Sequence, residues 1–104
     1  MDPKHHEKQS YEKHRVKIDF SGDDRIISGD SLNAATLSVK AFDDDETDVS
    51  STIIASSSVS GNYVYVWLQA GTDGEDYDIR VRIDTTLGEK LEDDLILQVI
   101  DKKR

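Results

Sequence analysis

Between Tyr63 and Thr85 the side chains change character at almost every second residue, and no other feature limits the fold so tightly. The stretch YVYVWLQA (63–70) sets Tyr63, Tyr65 and Trp67 on one side and Val64, Val66, Leu68 and Ala70 on the other. DYDIRVRIDT (76–85) places Tyr77, Ile79, Val81 and Ile83 opposite Asp78, Arg80, Arg82 and Asp84. A two-residue period belongs to an extended strand, whose successive side chains point to opposite faces. The same period runs through Val16, Ile18 and Phe20 and through Leu37, Val39 and Ala41. Thr52–Val59 is a weaker strand, Glu89–Ile100 the last, and a short one is expected around Ile26. Gly29-Asp30, the acidic run 43–48 and Ser60-Gly61-Asn62 punctuate them as turns. Nowhere do apolar residues recur at helical spacing behind a cap, so no helix is expected. Short strands separated by frequent turns, about seven in all, predict an all-β, antiparallel sandwich or small barrel.

A length of 104 residues suits one domain. Residues 14–101 carry the strand pattern. Residues 1–13 hold only Met1 and Tyr11 as large apolar side chains, too little to offset the entropy of ordering, so they read as a flexible N-terminal arm. Tyr11 is then a candidate contact of that arm. Lys102, Lys103 and Arg104 form a basic tail.

The chain has no Cys, which excludes disulfides, a thiolate zinc site and a Cys nucleophile. Twenty-two acidic residues against 13 basic ones give a net charge of −9, which repels a phosphate backbone, so nucleic acid is not an expected partner. No apolar run reaches the ~18–20 residues of a membrane helix, and the first fifteen residues lack a signal-peptide core. A membrane is not expected either, and the chain reads as soluble before any assembly.

Motifs for chemistry are equally sparse. His5, His6 and His14 lack zinc-site spacing and read as exposed arm residues. Ser56, Ser57, Ser58 and Ser60 occur without a Gly-x-Ser-x-Gly elbow, and no His follows His14, so an enzyme is not expected. The run Asp43-Asp44-Asp45-Glu46-Thr47-Asp48 lacks the spaced ligands of a calcium loop and reads as a solvated turn. No metal and no cofactor are expected.

Two features point to architecture and binding. Tyr77 opens its strand just after the Asp73-Gly74 turn, the position of a tyrosine corner, in which the ring bonds back to backbone upstream and pins the crossover between sheets. That pairing suggests an immunoglobulin-like sandwich. Tyr63, Tyr65 and Trp67 carry ~450–750 Å² of surface between them, as much as the largest apolar patch usual on a monomer. They are either covered within the chain or exposed as an interface.

The segment VWLQAGTDGEDYDIRVRIDTTLGEKLEDDLILQVI (66–100) resembles small virion proteins of tailed bacteriophages, the fibre-tail adaptors, which show a VWLxGGTxGxxY run and an acidic last strand. Gly29-Asp30-Ser31-Leu32, after the Val16–Asp19 strand, is similar to the same group. Ala70 stands where the group has Gly, and the first strand lacks the group's Trp after its Asp. The resemblance implies a non-enzymatic structural protein of the tail or neck, soluble in the host cytoplasm before assembly. Its partners would be other virion proteins and further copies of itself. A capsid decoration or cement protein and a carbohydrate-binding fibre module are the alternatives.

Overall fold

The computed structural model describes residues 4–20 and 29–101, with residue 4 described by its backbone alone. Among the described residues seven strands follow one another: β1 (Lys4–Lys8), β2 (His14–Asp19), β3 (Ser38–Phe42), β4 (Ile54–Ser60), β5 (Tyr63–Leu68), β6 (Asp76–Asp84) and β7 (Lys90–Val99). A 3-10 turn at Ala34–Thr36 precedes β3, and one helical turn, α1 (Ser50–Ile53), leads into β4. One sheet has the order β1-β7-β6-β3, the other β2-β5-β4. Every pairing is antiparallel except that of β1 with β7.

This is an immunoglobulin-like division of strands. Lettering β2 to β7 as B to G puts B, E and D in one sheet and C, F and G in the other, with the first strand beside G. The alternation fixes which face is buried. Val16, Ile18, Val64, Val66 and Leu68 project from one sheet and meet Tyr77, Ile79, Val81, Ile83, Leu95, Leu97 and Val99 from the other, with Phe20, Leu32 and Ile53 joining from the connections. Between them they remove the apolar side of each strand from water, the dominant favourable contribution to folding.

Three expectations need correction. The seventh strand is β1, formed by residues 4–8 of the expected flexible arm: Lys4 to Lys8 run in register with Leu95 to Val99. Composition cannot reveal this, because the pairing is made by the main chain. The stem of Lys8 is buried to 1% exposure while its Nζ donates to the Gln9 carbonyl at 2.7 Å. Second, the start of the expected Thr52–Val59 strand is helical, since the Ile53 N–H turns back to the Val49 carbonyl. Third, His6 and His14, read as exposed, are both half-buried and bonded to each other across the two sheets at 2.8 Å. The strand expected around Ile26 and the basic tail 102–104 lie outside the described residues.

Asp30 shows how the connections are tied. Its Oδ1 accepts from the Ser31 N–H at 2.8 Å, the Leu87 N–H at 3.1 Å and the Thr86 hydroxyl at 2.7 Å, so the lead into β3 is fastened to the turn between β6 and β7. Burial opposes the charge, yet bonds from the Thr85 and Thr86 hydroxyls and the Ser31 and Leu87 amides hold this carboxyl down to about 2.

Candidate functional site

The outward face of the β2-β5-β4 sheet is built in rows. Trp67 lies between Arg15 of β2 and Ser56 of β4, Tyr65 between Lys17 and Ser58, and Tyr63 between Asp19 and Ser60. The rows follow from parity: once Val64, Val66 and Leu68 enter the core, the intervening aromatics must face outward. Trp67 is 39% exposed, and Tyr63 and Tyr65 are half-buried.

What covers the rings in part is charge. Cations lean diagonally across the strand pair, with Lys17 Nζ 4.1 Å from the Tyr63 ring centre, the Arg15 guanidinium 4.7 Å from that of Tyr65, and Lys13 Nζ 5.6 Å from that of Trp67. Each such contact is worth about 0.5–1 kcal/mol at an exposed site. Together they lay charge over the ring faces and keep the cationic heads at the surface. On the other flank the serines are too short to cover the ring edges. The face thus combines Tyr, Trp and Arg, the anchors that contribute most at protein interfaces, with small hydroxyl side chains that adapt their hydrogen bonds.

The aromatic row was readable from sequence; its cations were not. Arg15 and Lys17 alternate with Val16 and Ile18, so the period of β2 by itself turns them outward. Only the long-range pairing of β2 with β5 puts them over the rings. Tyr11, the other candidate contact, stands 99% exposed on the turn joining β1 to β2, outside the rows.

The residues expected to form a tyrosine corner sit at the crossover from β5 to β6. The Tyr77 hydroxyl accepts from the Thr72 N–H at 3.0 Å, five residues upstream. Asp73 accepts from the Asp101 N–H at 2.8 Å, and the Gly74 N–H donates to the Val99 carbonyl at 2.8 Å. The turn is therefore fastened both to its own strand and to the end of β7.

The acidic run has a conformational use. Asp43 accepts from the Asp45 and Thr47 amides, both at 2.9 Å, and Asp48 accepts from the Ser50 amide at 2.9 Å and from its hydroxyl. The Ser50 bonds hold the Asp48 carboxyl below the usual carboxylate range. An open hollow of about 600 Å³ lies beside this turn, lined in part by Asp43, Val49, Thr72 and Tyr77. Among the described residues no three His, Asp or Glu side chains are placed to hold a metal ion, and no helix is long and apolar enough to cross a membrane.

Residues 8–98 match a family model described as Gp77, podophage GP4 fiber-tail adaptor protein gp77. No curated protein gives a significant match to the chain.

Proposed function

The chain belongs to the podophage GP4 fiber-tail adaptor protein gp77 family, and we propose that it acts without catalysis as a joint in the tail or neck, docking through the outward face of β2, β5 and β4. Its partners in this reading are tail and fibre subunits and further copies of the same chain, met after synthesis as a soluble protein in the host cytoplasm. The observation that carries the reading is the cation-capped row Tyr63, Tyr65 and Trp67, a preformed binding surface on a chain of net charge −9. Strands position the row, so little order has to be gained on docking. Membership of an adaptor family favours this reading over the capsid cement and sugar-binding alternatives.

The test is replacement of Tyr65 and Trp67 by Ala in the full chain, followed by assembly of particles in its presence. Both side chains point away from the core, so the melting temperature should move by only a few degrees. Truncating a central interface aromatic typically costs about 2 kcal/mol or more, so binding should weaken at least ~30-fold per ring and the variant should be missing from particles. A variant that enters particles and carries fibres as the native chain does would refute the assignment of the face.

A further inference from the structure

A sheet edge presents unpaired N–H and C=O groups, and native chains shield such edges with charge, proline or bulges. The two sheets here end in four strands, β1 and β3 in one and β2 and β4 in the other. Three are guarded by charge: β1 carries Glu7 and Lys8, β2 carries Arg15 and Lys17, and β3 carries Lys40. The fourth, Ile-Ala-Ser-Ser-Ser-Val-Ser from Ile54 to Ser60, has no charge and no proline. Its one irregularity lies at its start, between Ile54 and Ser56. Among the described residues, Ser56–Ser60 have no backbone hydrogen bond beyond the ladder with β5.

We propose that β4 is a homotypic pairing edge, along which a second copy of this chain adds its own β4, antiparallel, about a twofold axis through Ser58. Self-pairing sets each edge residue against the same short stretch in the partner, so a charged edge opposes itself. β4 alone avoids this. With Ser58 on the axis, Ser58 meets its own copy and Ser56 meets Ser60, a line of hydroxyls able to bond across the strands on the outward face. Toward the core, Ser57 meets Val59. Ser57 is exposed there although it pairs with the buried Val66, and Ile54 and Val59 are only half-buried. The incoming Val59 would cover that gap. The joined sheet would run through six strands, from β2 of one copy to β2 of the other. Its two cationic rims would then lie about 24 Å apart, at five interstrand spacings, well beyond the ~8 Å screening length of physiological salt.

Five paired residues a side bury less than the ~1,200 Å² of a standard interface, so the dimer should be weak and concentration-dependent. Net charge of −9 on each copy opposes it, and salt should therefore strengthen it. The inference rests on the proposed function only in requiring that copies meet.

The absence of Cys from the chain makes the register directly testable. Under mild oxidation, Ser58→Cys should form a covalent dimer on a non-reducing gel. Ser60→Cys, equally exposed, should not, because the two Cys would stand four residues apart along the paired strands, ~13 Å, against a limit of about 7 Å between the Cα atoms of a disulfide. Cross-linking of both alike, or of neither, overturns the register. Sedimentation of the native chain should show dimer rising with concentration and from about 0.05 M to about 0.5 M salt, while Ser58→Lys stays monomeric. A native chain that remains monomeric throughout, or a Ser58→Lys chain that dimerises equally well, overturns the pairing. Either result leaves the docking reading standing, since that is measured by entry into particles.

Discussion

At the residue scale, the pair Ala70-Gly71 carries the sharpest demand of the crossover from β5 to β6. Ala70 has a φ of 54° and Gly71 of 97°, both in the left-handed region. A Cβ on Gly71 would lie 2.7 Å from Val99 Cγ2 and 3.3 Å from the Tyr77 ring, so the glycine also makes room for the tethered tyrosine. Left-handed backbone costs a residue with a Cβ about 1–2 kcal/mol, while glycine loses ~0.5–1 kcal/mol of chain entropy on ordering. Ala70→Gly should therefore stabilise the domain by roughly 0.5–1 kcal/mol. Gly71→Ala adds steric overlap to strain and should cost about 2–4 kcal/mol. Urea unfolding midpoints measure both, and a destabilised Ala70→Gly would show that the positive φ at Ala70 carries no strain. The similarity to a Gly-Gly segment already marked Ala70 as the departure. What the sequence alone could not disclose was the contact behind Gly71, because Val99 is distant in the chain.

Among the elements, those whose two faces differ in polarity were legible. β2, β3 and β6 appear as alternations of apolar and polar residues because one face meets the core and the other meets water, while β5 shows the same period as aromatic residues alternating with aliphatic ones. β1 escaped because Lys-His-His-Glu-Lys has no apolar face to announce it. It is held by the main chain of β7, by the buried stem of Lys8, and by His6, whose Nε2 lies 2.8 Å from His14 Nδ1. Burial is the main cause holding the His6 pKa below its ordinary value, with further lowering from His14 and then Lys8. The unfolded chain therefore takes up the proton first as pH falls. The stability contributed by neutral His6 is complete above about 6.5, the ordinary value for His, and declines below it. Glu12 Oε1 lies 3.6 Å from His14 Nε2, the ring nitrogen that does not face His6. Melting curves of the native chain should consequently fall more steeply from pH 7 to pH 5 than those of His6→Gln. Parallel profiles would show that the histidine pair does not couple β1 to β2 through protonation.

For the whole molecule, the two proposed associations differ in how charge enters, and salt tells them apart. Three cations, Lys13, Arg15 and Lys17, line one outward face of a chain whose net charge is −9, so the remaining surface is still more acidic than the total suggests. The chain is electrostatically two-sided. Its field at long range draws basic surfaces, while the aromatic face at short range suits carboxylates that can bond the exposed heads of Arg15 and Lys17. A partner docked on that face should lose affinity as salt screens these pairs, with most of the loss in the association rate. Copies joined along β4 respond in the opposite direction, because screening removes only their mutual repulsion. Binding of a tail or fibre subunit to the native chain should therefore weaken several-fold from about 0.05 M to about 0.3 M salt. A chain carrying Arg15→Ser and Lys17→Ser should bind less well at low salt and show a flatter dependence. If its salt dependence is as steep as that of the native chain, the cations over the rings hold aromatic geometry alone, and the charge that guides assembly lies elsewhere on the molecule.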